Sequence, residues 1–505
     1  SENIIHTGIF SGMSGSPVYL DGRLMGAVAY AFPYAKESLA GVTPIGRMTA
    51  LDGGRRTRGI PTTRGTLPIL RAQWPQPLSL QPPKPAAGTA RSLLLLEGIP
   101  TGAVPHLSAP FLQHQLVPVS AGVTGNAIGP AVLEPGATIV VPLISGDINV
   151  AAAGTITSVD GDSVLGFGHG FLETGPCAMP LQSGIVHTVI TSYQQPFKLS
   201  SPVAMVGSVL QDLSAGIFGR LGAAPDTMQF SLVLREESGT RREYRLLVTP
   251  EPAMLPQLLL IGAGQLIART LRGAGFMSAR GSLELDIGGE TVNCLVSAVE
   301  ADSAYVLANG LLAPVYRLYE KAGRFPDVRT VALDIELVPR LEAGEIVRIH
   351  ADRRWAAPGG TVAVSALVER TNRDPEEVTV PLPVPERRSL QNAWVMVMGT
   401  PDWERWMRQR ERSDHDDNPS EIVDSMRRLN SPDGLHVLLA KDGVDLALPD
   451  ADFTDLPARM HRLLTSRPAT GAWDTNRFTI ISTAFHELPY RTTGSLQLKL
   501  PVMDQ

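Results

Sequence analysis

Short apolar runs that end at glycine or proline recur along most of this chain, and this pattern favours β-strands joined by turns. The sequence contains 48 glycines and 41 prolines among 505 residues, and both residue types interrupt regular structure. A chain of this length is too long for one hydrophobic core, which suggests roughly three or four domains. We therefore predict a mainly β protein with several cores.

The charge and the apolar runs exclude two classes of partner. The formal net charge of -6 provides no broad basic field, so we predict no nucleic-acid partner. The closest approach to a membrane helix, residues 255–267, is shorter than the ~18–20 apolar residues that such a helix needs. We therefore predict no membrane span, and the sequence does not indicate an oligomeric state.

The start of the chain and its cysteines bear on location and cofactors. The chain opens with Ser1 and lacks the charged and apolar regions of a signal peptide. We expect that an upstream segment was removed and that the protein is secreted or lies in the cell envelope, in the periplasm. Cys177 and Cys294 allow either one disulfide or two buried thiols, and they cannot form a cysteine-rich zinc site. We predict no metal and no cofactor.

Ser14 is the strongest candidate for a nucleophile. It lies in the run Gly12-Met-Ser-Gly-Ser-Pro, just before a hairpin signal in which Asp21-Gly22 joins two apolar runs. A serine nucleophile needs an exposed tight turn, a neighbouring base and amides directed at the developing oxyanion. Gly12 permits the twist that would direct its own amide and that of Ser14 into one oxyanion hole. Taken alone, the motif also fits a flexible turn.

His169 is the candidate general base. It stands between Gly168 and Gly170 at the end of a predicted strand, where an imidazole can face a cleft. A histidine satisfied by local hydrogen bonds is the alternative. His187, within a predicted strand, and His6, near the chain start, are weaker candidates.

Two blocks of sequence resemble the SpoIVB-type sporulation serine peptidase family. The serine block joins Gly12-Met-Ser-Gly-Ser-Pro-Val to Asp21-Gly-Arg-Leu-Met-Gly-Ala-Val. The histidine block consists of Gly154-Thr-Ile-Thr, Leu165-Gly-Phe-Gly-His-Gly, Ser183-Gly-Ile-Val, Thr188-Val-Ile-Thr-Ser and Ala215-Gly-Ile-Phe-Gly. In that family the histidine block precedes the serine block, whereas here the order is reversed. The resemblance covers residues 8–50 and 150–250 and implies a chymotrypsin-like double β-barrel whose halves are permuted in sequence.

Asp212 is the candidate for the acid that orients His169. Its separation from the histidine is comparable with that in chymotrypsin-like barrels. A carboxylate in this role fixes the histidine tautomer and stabilises the imidazolium. Asp160 and Asp162 are further candidates, although Val-Asp-Gly-Asp-Ser reads first as a hairpin turn.

Two other motifs predict ordinary structure. Gly262-Ala-Gly264 begins like a dinucleotide-binding loop, but Ile267 stands where the third glycine belongs, and a packed helix is the better interpretation. His486-Glu487 lacks the second histidine of a zinc peptidase, because Tyr490 occupies that position.

Composition and motifs together divide the chain into six predicted segments, the last of which is an α/β tail with a solvated charge run. They are a nucleophile-bearing barrel half (1–60), a proline-rich linker or arm (61–118), a histidine-bearing barrel half (119–250), a helical connection (251–280), one or two β-sandwich modules (281–399) and the C-terminal α/β region (400–505).

These features lead to one functional hypothesis and two rivals. The leading hypothesis is a serine endopeptidase that acts on protein or peptide substrates, including this chain itself, with Ser1 as a candidate processing scar. The first rival is a catalytically silent, peptidase-like binding protein of the cell envelope, which is favoured by Met13 where trypsin-like enzymes place an aspartate. A carbohydrate-binding sandwich protein, suggested only by the β-rich region after Gly281, is the second.

Overall fold

The computed structural model is mainly β, with 58% strand and 17% helix, which confirms the predicted class. It contains two compact units, residues 1–230 with 245–262 and residues 231–244 with 263–505. Ser1, His6 and most of the predicted proline-rich arm lie outside the residues that the structure describes. The described residues are 8–32, 38–52, 92–99, 104, 111, 116–121, 133–191, 196–252, 254–270, 277–300, 303–321, 326–386, 393–409, 419–428, 430–448, 451–453, 459–460 and 474–503.

The first unit begins with a three-stranded antiparallel sheet and a short helix. Its elements are β1 (Pro17–Leu20), β2 (Arg23–Ala31), β3 (Ala40–Pro44) and α1 (Ile45–Thr49). Asp21 and Gly22 both have positive φ, 48° and 73°, as a two-residue I′ hairpin turn requires. The predicted hairpin is therefore present.

A closed ring of six antiparallel strands forms the centre of the first unit. The strands are β6 (Thr138–Gly146), β7 (Asn149–Asp160), β8 (Ser163–Gly166), β9 (Gly175–Ile190), β10 (Phe197–Leu213) and β11 (Gly216–Leu221). They pair in the order β6-β9-β10-β11-β8-β7, and the pairing of β7 with β6 closes the ring. The parallel pair β4 (Ser92–Glu97) and β5 (Leu116–Ala121) extends the sheet from β7.

The N-terminal sheet packs on this ring through a small apolar cluster. Its buried members are Ala27, Met48, Leu51, Leu165 and Phe218. Burying an aliphatic or aromatic side chain of this kind contributes roughly 1.5–3 kcal/mol, so the cluster holds the N-terminal sheet and its short helix against the ring. Among the described residues this N-terminal half is an open sheet and only the six strands close into a ring, so the predicted double barrel is not confirmed.

Two strands and a helix each begin in one of the two units and end in the other. They are β12 (Met228–Glu236), β13 (Arg241–Val248) and α2 (Leu255–Thr270). The helix begins with Pro256 in its first turn, where proline costs no hydrogen bond, and it corresponds to the predicted helical connection. Gly264 lies within it and packs against the Tyr305 ring, which agrees with a packed helix and not with a nucleotide-binding loop.

The second unit contains three paired strands with two helices and a β-sandwich. The three strands pair in the order β15-β14-β16, at one end of a larger sheet, and are β14 (Met277–Ile287), β15 (Glu290–Glu300) and β16 (Val328–Val338). The helices α3 (Ala304–Leu311) and α4 (Ala313–Lys321) come between β15 and β16 in sequence. One sandwich sheet contains β17 (Ala343–Ala351), β18 (Thr361–Arg370), β19 (Glu376–Pro383) and β24 (Arg491–Thr493). The other contains β20 (Ala393–Gly399), β21 (Gly434–Leu448), β22 (Ala451–Phe453), β23 (Asp474–Glu487) and β25 (Ser495–Lys499).

The sandwich crosses the boundary predicted between residues 399 and 400. β20 pairs with both β21 and β25, and valines and leucines from both sheets share one core, among them Val362, Val364, Val395, Val397, Val437 and Leu439. The helices α5 (Thr400–Arg408) and α6 (Pro419–Arg428) fall between these strands in sequence. The change in composition after residue 400 therefore marks two helices inserted into the sandwich, and the strands beyond them complete it. No helix in the described ranges is long and apolar enough to cross a bilayer.

Candidate active site

Ser14 lies on a tight loop that is pressed against the ring of strands. Its neighbours Gly12 and Gly15 have φ values of +95° and +93°, which disfavour residues with a Cβ atom. A Cβ at position 15 would lie 2.1 Å from the Thr155 carbonyl oxygen and 2.4 Å from the Phe167 nitrogen. Glycine at position 15 therefore lets the loop approach β7 and the segment after β8, and it leaves Ser14 only 1% exposed.

Two main-chain amides of the loop have no main-chain acceptor among the described residues. Met13, Gly15 and Ser16 donate main-chain hydrogen bonds to Phe10, Val28 and Met13 respectively. Among the described main-chain groups, none accepts a bond from the amides of Gly12 or Ser14. These are the two amides predicted to form an oxyanion hole.

The serine block and the histidine block meet at Ser14. The Ser14 hydroxyl donates to the Phe167 carbonyl oxygen, although the two residues are 153 positions apart in sequence. The same segment is held by the Thr43 hydroxyl, which donates to the Gly168 carbonyl at 2.5 Å. No described hydrogen bond joins the Ser14 hydroxyl to the His169 ring itself. The structure thus brings the candidate nucleophile into contact with Phe167, which precedes the candidate base by two positions in sequence. The Ser14 hydroxyl is directed at the main chain of Phe167 and not at the imidazole.

The His169 ring is buried with one nitrogen unused. Its Nδ1 lies 2.7 Å from the Gly170 carbonyl oxygen, which can only accept, so this contact assigns the ring proton to Nδ1. Nε2 is buried and has no partner among the described residues. Burial lowers the pKa of His169, against the opposing effects of the Gly170 contact and the charge of Glu173. The ring is therefore a neutral imidazole whose free Nε2 can accept a proton.

Asp212 binds the loop after His169 and not the histidine ring. Its two carboxylate oxygens accept the amides of Phe171 at 2.7 Å and Leu172 at 2.6 Å. Burial raises the pKa of Asp212, while these amide hydrogen bonds oppose the rise. The amides of the loop satisfy the carboxylate directly, and the Gly170 carbonyl takes the contact with Nδ1 that an orienting acid would make. In this arrangement Asp212 positions the loop.

We expect Asp212→Asn to destabilise the first unit by about 1–3 kcal/mol, because an amide nitrogen would face one of the two main-chain donors and leave it unsatisfied. Urea unfolding followed by circular dichroism measures the change. Asp162→Asn is the control, since Asp162 is exposed and its pair with Arg220 at 3.4 Å lies on the surface, where such pairs contribute under about 1 kcal/mol. Equal losses in the two variants would contradict the role of Asp212 in the loop.

The hydrogen bonds described for Asp160, Asp162 and His187 do not involve the Ser14 loop. Asp160 and Asp162 flank Gly161 in the turn between β7 and β8, as the hairpin reading predicted. His187 lies on β9, and its Nε2 is 2.8 Å from the Ser201 hydroxyl.

Both cysteines are free thiols, so the alternative of two unpaired thiols describes the structure. Burial raises the pKa of Cys177 to about 12 and that of Cys294 to about 11. Neither thiol is therefore ionised at neutral pH. Within the described ranges no cluster of histidine, cysteine and acidic side chains could hold a metal ion.

No protein-family model, curated protein or solved structure matches this chain. The functional assignment therefore depends on the geometry around Ser14 and His169 and on the chemistry of those groups.

Sequence reasoning missed two charged residues at this site. Glu173 is exposed and lies four residues after His169 in sequence. Its negative charge acts to raise the pKa of the imidazole. Lys198 is only 6% exposed and stands in the apolar run Phe-Lys-Leu at the start of β10. A lysine between two apolar residues at the start of a strand was the available signal for Lys198, and the spacing His-Gly-x-x-Glu was the signal for Glu173.

Proposed function

We propose that this protein is a serine endopeptidase with Ser14 as nucleophile and His169 as general base. The observation that carries the proposal is the contact of the Ser14 hydroxyl with the main chain of Phe167, which brings two remote sequence blocks to one site. The free Nε2 of His169 and the amides of Gly12 and Ser14 supply the other groups that acyl transfer needs. The resemblance of both blocks to the SpoIVB-type peptidases supports the same chemistry.

In the proposed reaction the Ser14 oxygen attacks a peptide carbonyl carbon and its proton passes to Nε2 of His169. The oxyanion that forms accepts hydrogen bonds from the amides of Gly12 and Ser14. Collapse of this intermediate breaks the C–N bond as His169 returns the proton to the leaving amine. Water then attacks the acyl-enzyme by the same route and frees Ser14. The first step requires the Ser14 hydroxyl to rotate away from the Phe167 carbonyl towards Nε2.

Protein or peptide substrates, self-processing and a location in the cell envelope belong to this proposal. They follow from the peptidase reading and from the resemblance. The chymotrypsin-like character of the fold is likewise proposed, on the basis of the closed six-stranded ring that carries His169.

A fluorophosphonate probe tests the proposal, because it phosphonylates only an activated serine. We expect the folded full-length chain to be labelled, with the adduct on residue 14 in the peptide mass spectrum and no labelling of Ser14→Ala. Ser16→Ala is the matched control, since it removes a hydroxyl from the same loop and should be labelled at the rate of the unchanged protein. An adduct on any other residue would contradict the assignment of Ser14.

The catalytically silent binding protein is favoured by one observation. Ser14 is 1% exposed and its hydroxyl is already bonded to a main-chain oxygen, so the site is closed in this conformation. If folded protein fails to react with the probe over hours at a concentration that labels trypsin fully, the silent reading replaces the peptidase.

A further inference from the structure

Lys198 is a buried amine next to the Ser14 loop. Its Nζ donates to the Thr138 hydroxyl at 3.1 Å, the Gly154 carbonyl at 3.2 Å and the Thr155 hydroxyl at 3.2 Å. All three partners are uncharged, and within the described part of the chain only burial shifts the pKa of Lys198. A buried cation without a counter-ion is costly to a fold, so its presence at a proposed active site suggests a function.

The Thr155 side chain connects this amine to the Ser14 loop. A hydroxyl has one proton to donate, and that of Thr155 goes to the Gly12 carbonyl oxygen at 2.9 Å. Because Lys198 donates to the same hydroxyl oxygen, the proton cannot point back towards the amine and is directed to Gly12. The amide of Thr155 donates to the Ser14 carbonyl at 2.9 Å, so one residue of β7 holds the loop at two points.

The main chain of Lys198 fixes the peptide on the other side of Gly12. Its amide donates to the Ser11 carbonyl oxygen at 3.0 Å. The N–H and C=O groups of a trans peptide point in opposite directions, so the Gly12 amide points away from β10. The lysine stem also lies under the loop, since a Cβ at Gly12 would come within 3.1 Å of it.

We propose that Lys198 is a positioning residue for the oxyanion loop: its main-chain amide directs the Gly12 amide through Ser11, and its side chain fixes the Gly12–Met13 peptide through Thr155 and places a positive charge beneath the loop. This inference rests on the proposed peptidase function. It assigns to Lys198 no proton transfer with substrate, because the amine reaches the loop only through Thr155. Its charge stabilises the oxyanion, because a buried environment screens electrostatic interactions only weakly.

The charge of Lys198 gives the proposal a pH signature. Burial lowers the pKa of Lys198 to about 8. The groups that face the amine are Thr138 from β6 and Gly154 and Thr155 from β7, while Gly12 of the loop lies against the lysine stem; none of these groups titrates. The amine is therefore charged below about pH 8 and neutral above it, and the contribution of the charge is lost as the pH rises through that value.

The test compares three variants of the full-length chain by their rates of fluorophosphonate labelling. At pH 7 we expect Lys198→Met and Thr155→Val to react at least about tenfold more slowly, as for the loss of part of an oxyanion site. Thr138→Val removes a partner of the amine that has no link to Gly12, and it should stay within about threefold of the unchanged protein. Between pH 6 and 10 the unchanged protein should show a fall in rate near pH 8 that is absent from Lys198→Met.

Hydrogen exchange of the peptide that covers residues 8–16 separates this inference from the peptidase proposal. If the unchanged protein is not labelled at all, the peptidase proposal fails, and exchange still reports the positioning. We expect the Met13, Gly15 and Ser16 amides to exchange faster in Lys198→Met and Thr155→Val than in Thr138→Val. If Lys198→Met does not fold, Thr155→Ser, which keeps the hydroxyl, should behave as the unchanged protein while Thr155→Val does not. Unchanged labelling, pH profile and exchange in Lys198→Met would overturn the role of Lys198.

Discussion

Gly15→Ala is expected to destabilise the first unit by about 2–5 kcal/mol and to abolish labelling of Ser14. A Cβ at this position combines the strain of a positive φ with overpacking against main-chain atoms. The Thr155 carbonyl oxygen at 2.1 Å and the Phe167 nitrogen at 2.4 Å cannot withdraw without disturbing β7 and the histidine segment. The loop must therefore shift and carry Ser14 away from the segment that bears His169.

Gly22→Ala separates the two causes of this loss. Gly22 has a φ of +73°, and nothing lies within 4 Å of a Cβ built there. Gly22→Ala should therefore lose only the free energy of holding a residue with a Cβ in the left-handed conformation, about 1–2 kcal/mol. Hydrogen exchange of the amides in residues 8–230 measures the loss of stability of the first unit in both variants. Similar losses for the two glycines would show that backbone strain alone matters and that the close approach of the Ser14 loop to the ring does not.

Local features of the first unit were predictable because neighbouring residues determine them. The hairpin at Asp21-Gly22 follows from two residues that tolerate positive φ. The turn at Gly161-Asp162 follows from a single glycine, because only Gly161 has a positive φ there. The pairing of the Ser14 block with the His169 block was suggested by motifs in both, but its geometry depends on Gly15, whose role becomes visible only beside Thr155.

Interactions between residues distant in sequence limited the remaining predictions. Sequence spacing suggested that Asp212 would reach His169, but the loop amides of Phe171 and Leu172 satisfy its carboxylate instead. Lys198 is buried against β6 and β7. Its burial therefore cannot be predicted from the sequence of its own strand, β10. The sandwich sheet of the second unit continues across the boundary predicted at residue 400, because helical composition in an insertion conceals the continuity of the sheet.

His169→Ala is expected to slow fluorophosphonate labelling of Ser14 by about 10²–10⁴-fold, the usual contribution of a general base. The physical reason is that Nε2 is the free proton acceptor on the segment that touches Ser14. His187→Ala is the matched control, because His187 lies on β9 against the Ser201 hydroxyl and should leave the rate unchanged. Equal rates for the unchanged protein and His169→Ala would exclude His169 as the base.

The pH dependence of labelling provides a further check on His169. The base must be neutral to accept a proton, and burial lowers the pKa of His169, so the rate should rise to half its plateau below pH 6.5, the ordinary value for histidine. The charge of Glu173 opposes that lowering; Glu173→Gln should therefore move the midpoint to a still lower pH. Because Glu173 is exposed, 1 M salt should screen its charge and bring the two profiles together. A midpoint above pH 6.5 in the unchanged protein, or a shift to higher pH in Glu173→Gln, would contradict this account of the imidazole.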